Sequence, residues 1–103
     1  VTAISGSGPA YVFFFIEAMV QAATEMGLTA EQGRRLAQST FAGAAALAQA
    51  SPLQPAELRA QVTSKGGTTH AAITSLEDSG VRQAIVRALH AARTRAQELG
   101  RMG

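Results

Sequence analysis

From Pro9 to Met26 the chain is apolar around almost its whole circumference, and no other feature limits the fold as tightly. Val12, Phe13, Phe14, Phe15, Ile16, Met19, Val20, Ala22 and Ala23 are spread over most faces of the helix that this spacing predicts. Pro9 suits the first helical position, where its missing N–H costs nothing, and Gly27 supplies a C-terminal stop. A helix apolar on nearly all sides has to be buried on nearly all sides. With 103 residues the chain can build one small core, and a monomer of that size has difficulty surrounding such a helix. The surplus apolar surface predicts an oligomer or a further domain.

Other segments read as helices too. Thr29-Ala30-Glu31-Gln32 is a capping box that opens a second helix, with Gln32 at N3. That helix runs to about residue 50 through Leu36, Thr40, Phe41, Ala44 and Leu47, and Ser51-Pro52 ends it. Gly33, Gly43 and the alanines between 42 and 48 are small enough for two helices to approach closely. A short third helix follows Pro55, with Leu58 and Val62 on one face. A fourth is expected over about 69–78, broken by Gly80. The fifth is expected over about 81–99, with a stripe of Val81, Ile85, Leu89, Ala92 and Ala96, and Gly100 closing it. No segment alternates with period two, so no strand is expected. The fold class is all-α, a bundle of about five helices in one domain without linker or internal repeat.

Composition removes several chemistries. The chain has no cysteine, which rules out disulfides, thiol catalysis and cysteine metal sites, and agrees with a reducing cytoplasm. The net charge is +2, and every basic residue except Lys65 is arginine. The arginines at 82, 87, 93, 95 and 101 are spread around a helix with no interleaved aromatic rings, so a solvated face is expected and not a nucleic-acid surface. His70 and His90 fall on different predicted helices with no neighbouring ligand pattern, so no metal site is expected. Glu77 and Asp78 are adjacent and point to different parts of a helix surface, which suits solvation better than paired acid–base work. A signal peptide is not expected from the Val-Thr-Ala opening. The apolar run 11–16 is interrupted by Glu17 and falls short of the roughly 20 residues that span a bilayer, so a soluble protein is expected.

Two glycine-rich segments remain. Val62-Thr63-Ser64-Lys65-Gly66-Gly67-Thr68-Thr69 places a flexible, hydroxyl-bearing turn before a helical pattern of Thr69, Ala72, Ile73 and Leu76. Such a turn leaves several backbone N–H groups free at the positive end of a helix, where a carboxylate or phosphate fits. A Cβ at the glycines would block both the backbone conformation and the approach of a ligand. From these eight residues alone the plainer reading is favoured, in which Thr68 or Thr69 caps a helix after a glycine turn and nothing binds. Ser5-Gly6-Ser7-Gly8 lacks the preceding strand and third glycine of a dinucleotide fingerprint, and reads either as an N-cap before Pro9 or as a second ligand-contacting helix start.

Taken together these motifs resemble one family. Thr2-Ala3-Ile4-Ser5-Gly6-Ser7-Gly8-Pro9-Ala10-Tyr11 is similar to the start of the C-terminal domain of pyrroline-5-carboxylate reductases. The 62–69 segment is similar to that family's substrate loop, and Met26-Gly27-Leu28 and Leu76-Glu77-Asp78-Ser79-Gly80-Val81-Arg82 fit in the same order. The resemblance covers the whole chain. It departs at Lys65, where the family usually has proline, and at His70, commonly an aliphatic position.

The resemblance implies an enzyme that reduces Δ1-pyrroline-5-carboxylate to L-proline with NADPH or NADH in the cytoplasm. It implies that residues 1–103 are the helical dimerisation and substrate-binding domain, with the Rossmann domain that holds the dinucleotide absent from this segment. The fold it implies is an intertwined homodimer like the C-terminal domain of 6-phosphogluconate dehydrogenases, and such dimers often assemble into rings. Ser64, Gly66, Gly67, Thr68 and Thr69 would bind the substrate, Thr69 as the catalytic residue that hydrogen-bonds the ring nitrogen. Thr2, Ser5, Gly6 and Ser7 would lie towards the nicotinamide. No partner nucleic acid, membrane or metal is implied. The alternatives are a non-catalytic helical dimerisation module, or the helical half of another Rossmann-type dehydrogenase acting on a carboxylate.

Overall fold

The computed structural model describes residues 2–102, in which a five-residue π-turn, Thr2–Gly6, precedes five α-helices. These are α1 (Gly8–Glu25), α2 (Ala30–Ala50), α3 (Pro55–Gln61), α4 (Thr68–Asp78) and α5 (Val81–Met102). The chain divides into two compact units: one runs from Pro9 to Gln54, and the other joins the segment up to Gly8 with everything from Pro55 onward.

The first of these units is an antiparallel pair, α1 and α2. Helix α1 ends where Gly27 takes φ +100°. The Leu28 N–H then reaches back to the Ala23 carbonyl at 3.0 Å, which also accepts the Met26 N–H at 3.1 Å, and closes the last turn. The capping box follows as the sequence predicts: Gln32 N–H donates to the Thr29 hydroxyl at 3.1 Å, and Thr29 N–H donates to Gln32 Oε1 at 2.9 Å. Glu31 occupies the first turn of α2, where negative charge suits the helix dipole. Hydrogen bonds from Arg34 and Arg35 hold its carboxyl below the usual carboxylate range.

The seam between the two helices is built from small residues. A Cβ on Gly33 would stand 2.9 Å from the Ala23 Cβ, and Ala37, one turn further on, is 1% exposed. Beyond them Phe15 meets Phe41 edge-on, with ring centroids 5.5 Å apart. Gly33→Ala therefore has two opposed effects. Helix propensity gains about 0.5–1 kcal/mol, while overpacking costs about 1–3 kcal/mol. Net destabilisation is expected and is read as a lower urea midpoint at unchanged slope. A midpoint at or above wild type would show that the helices separate at no cost.

Helix α1 does not find its expected cover within the chain. Phe13 is 63% exposed and Phe14 76%, and no α1 residue is fully buried. The apolar run 11–16 is short, but within Thr2–Glu25 an 18-residue window has a mean hydropathy of 1.4, long and apolar enough to cross a bilayer by length and composition. A core helix covered by protein meets the same criteria.

In the second unit the π-turn and α4 both pack on α5. The turn closes through Ser7 N–H to the Thr2 carbonyl at 2.9 Å and seats Ala3, 9% exposed, at the α5 surface. The sequence placed a plain helix start at 5–9; instead the chain already coils from Thr2. Helices α4 and α5 join at Gly80, whose φ of +71° admits the sharp change of direction. Arg82 braces that corner, its Nε and Nη2 donating to Glu77 Oε1 at 3.2 and 3.0 Å.

Three boundaries differ from expectation. Helix α5 passes through Gly100 to Met102, because Gly100 keeps a negative-φ backbone and a single helical glycine weakens a helix without stopping it. Its stripe of Val81, Leu89, Ala92 and Ala96 is half-buried as predicted, while Ile85 is 51% exposed. Helix α3 stops at Gln61, so Val62 does not share its face. Helix α4 starts one residue early, at Thr68, and Gly67 is its N-cap in place of Thr68 or Thr69.

Candidate functional site

The 62–69 loop leaves α3 through Val62 and Thr63, whose N–H groups bond back to the Arg59 and Ala60 carbonyls at 3.2 and 3.1 Å. A β-turn follows, closed by Gly67 N–H to the Ser64 carbonyl at 3.0 Å. Gly66 has φ +74°, and no non-glycine residue described has a positive φ, so Lys65 and Gly66 are the central residues of a type II turn. Glycine is demanded at Gly66 by conformation. At Gly67 it is demanded by space: φ is −88°, which any residue adopts, but a Cβ would lie 3.3 Å from both the Cβ and the carbonyl oxygen of Ser64. The two glycines thus divide the roles that the sequence reading gave to both.

The turn delivers Gly67 to the head of α4. The first helical bond there is Ala71 N–H to the Gly67 carbonyl at 3.1 Å. The N–H groups of Thr68, Thr69 and His70 precede it, and Gly67 has no side chain to cap them. The Gly67 N–H is consumed by the turn, so the open donors lie just beyond the glycines and not on them. The hydroxyls of Ser64, Thr68 and Thr69 have no protein partner among the described residues, whereas those of Thr24, Thr40 and Thr63 donate to backbone carbonyls. Thr69 is half-buried; Ser64, Gly66 and Thr68 are exposed. The loop therefore offers three backbone donors and three hydroxyls at the positive end of an 11-residue helix, the arrangement that holds a carboxylate.

The other predicted segment lies in the same unit but at a different surface. Thr2, with Ala3 and Ile4, lines a groove of about 510 Å³ against α5, where His90 and Arg93 reach its edge. Val86, Leu89, His90 and Arg93 stand at i, i+3, i+4 and i+7, so the spacing held that face in view, yet the sequence reading used it only for the apolar stripe. Ser5 and Gly6 are exposed and Ser7 is half-buried; none of the three lines the groove, and no residue of the 64–69 loop does either. His70 is on α4 and His90 on α5, and no group of three or more potential metal ligands gathers among the described residues.

Residues 1–99 match the family model described as pyrroline-5-carboxylate reductase dimerisation. The chain belongs to that family. The dimerisation domain is 46% identical over 101 residues to the pyrroline-5-carboxylate reductase of Corynebacterium melassecola, covering 98% of this chain and 37% of that protein. It is 48% identical over 99 residues to the reductase of Pseudomonas aeruginosa, covering 96% of this chain and 36% of that protein. Among solved structures, Plasmodium falciparum pyrroline carboxylate reductase with NADP bound superposes at a TM-score of 0.92 and 33% identity, over 96% of this chain and 39% of that one. A Coxiella burnetii pyrroline-5-carboxylate reductase gives a TM-score of 0.91 at 46% identity, over 95% and 36%. This domain thus spans little more than a third of the relatives it matches, and its all-helical fold is theirs over that third.

Proposed function

We propose that this chain is the dimerisation and substrate-binding domain of a cytoplasmic pyrroline-5-carboxylate reductase, which reduces Δ1-pyrroline-5-carboxylate to L-proline with NADPH or NADH in proline biosynthesis. The observation that carries the reading is the uncapped head of α4 behind the Ser64–Gly67 turn, in a chain of this family. The substrate carboxylate sits on the N–H groups of Thr68, Thr69 and His70, with Ser64 beside it. Thr69 then donates its hydroxyl proton in a hydrogen bond to the ring nitrogen. A threonine hydroxyl is a poor acid, so Thr69 orients the imine and relays a proton from water. Fixing the ring at both ends turns a bimolecular encounter into a positioned one.

The described residues do not form a dinucleotide cradle: they contain no strand, and Ser5-Gly6-Ser7 leads from the end of the π-turn into α1, not from a strand into a helix. The dinucleotide belongs to an N-terminal Rossmann domain, with Thr2, Ser5, Gly6 and Ser7 of this chain at its nicotinamide end. The partner is a second copy in a homodimer, which can assemble further into rings. Neither nucleic acid nor membrane is a partner. Arg34, Arg35, Arg82 and Arg95 are engaged by Glu31, Glu77 and Glu98, and the remaining arginines have no interleaved aromatic rings for base stacking; α1 faces a second copy, not lipid.

The test separates the halves. The full-length protein should oxidise NADPH when given the cyclic imine. The purified 103-residue chain should show no reduction and little or no NADPH binding by calorimetry. Turnover by the isolated chain would overturn the division of labour, and a full-length protein inert towards the imine would overturn the assignment.

A further inference from the structure

We propose that Lys65 is a specificity-determining residue of the substrate loop, whose ammonium draws the carboxylate of the imino acid to the head of α4 and favours it over uncharged cyclic imines. This rests on the carboxylate-binding reading of that loop. Lys65 is the only lysine in the chain, where every other cation of this kind is arginine. It occupies the first central position of the type II turn, three residues before Thr68. That position accepts proline readily, and the Lys65 N–H has no hydrogen-bond partner among the described residues, so the turn itself does not call for a lysine.

The charge is also left unneutralised. Four arginines of this chain are held by carboxylates at 2.8–3.5 Å; Lys65 is exposed and, like Arg59, Arg87, Arg93 and Arg101, forms no ion pair among the described residues, but it alone of these stands on the turn before α4. No Asp or Glu occurs between Glu57 and Glu77, while Arg59, Lys65 and His70 all fall in that interval. A flexible four-carbon stem on a turn whose ends lie within about 7 Å of each other can carry the ammonium to an anion seated on the Thr68–His70 N–H groups. An exposed attraction of this kind is weak at close range and strongly screened by salt, so it acts on KM and not on the chemical step.

Steady-state kinetics of the full-length enzyme test this with Lys65→Gln, Lys65→Pro and Lys65→Arg across a salt series. At ~0.01 M ionic strength, Lys65→Gln and Lys65→Pro should raise KM for Δ1-pyrroline-5-carboxylate about two- to fivefold, with kcat and the KM for NADPH unchanged. Lys65→Arg should stay near wild type, and the gap should close towards ~1 M salt, where the Debye length is about 3 Å. With 1-pyrroline, which has no carboxylate, wild type and Lys65→Gln should be equal. The proposal is overturned by an unchanged KM in Lys65→Gln at low salt, by a gap that salt does not close, or by a change confined to NADPH. Gly67→Val separates the two levels: if it spares the KM for the imino acid, the loop reading and this proposal fall together. If it abolishes binding while the Lys65 variants match wild type, only this proposal falls.

Discussion

Gly67→Val in the full-length reductase is expected to abolish saturable binding of Δ1-pyrroline-5-carboxylate while leaving NADPH affinity unchanged. Two steric effects act together. The new Cβ lands 3.3 Å from Ser64, so the turn must open by a few tenths of an ångström, and the rest of the branched side chain stands beside the open N–H groups of α4. Gly66→Ala separates these effects. Its site is open space, so only the strain of φ +74° is felt, about 1–3 kcal/mol, without occlusion. Thr69→Ala should be milder still. It removes one hydrogen bond, worth about 0.5–1.5 kcal/mol to a neutral nitrogen or about 1.5–3 kcal/mol to a charged one, which is roughly a few-fold to a hundredfold in kcat/KM. If Gly67→Val and Thr69→Ala, both folded by circular dichroism, kept wild-type kcat/KM, the loop would be a structural turn alone.

What the sequence could show about this site follows from how local the determinants are. The capping box at Thr29 and Gln32 is closed by two hydrogen bonds within four residues, and it stands as predicted. The two glycines of the loop were legible as a turn feeding a helix, but not their separate duties. Those depend on a backbone angle at Gly66 and on the distance from Gly67 to Ser64, neither of which a pair of letters encodes. Gly100 shows the opposite error. Read alone it ends a helix, but α5 continues because no left-handed angle is required there. The π-turn at Thr2–Gly6 was missed because a turn closed by a bond such as Ser7 N–H to the Thr2 carbonyl leaves no periodic signature in five residues. Which faces of α1 would be covered was the least legible feature, since nothing within the chain buries any α1 residue.

That cover leads to the second large effect. Among the described residues only Ala3, Gly33 and Ala37 are buried, a core too small to hold a chain of this length, while Phe13, Phe14, Met26 and Leu47 are all more than half exposed. Apolar burial of about 25 cal/mol per Å² has to come from elsewhere, and a second copy supplies it if α1 and the small-residue face of α2 enter an intertwined interface. The buried area should exceed the ~1,600 Å² of a standard protein complex, as obligate homodimers do. Folding and association are then one event. The midpoint of thermal unfolding should rise with protein concentration, and Phe14→Asp should cost helical content as well as dimer mass, because an obligate dimer leaves no stable monomer behind. Sedimentation velocity and circular dichroism on the same samples decide the matter. A monomeric species at micromolar concentration that still unfolds cooperatively would show that the exposed phenylalanines are tolerated without a partner, and the intertwined dimer would have to be given up.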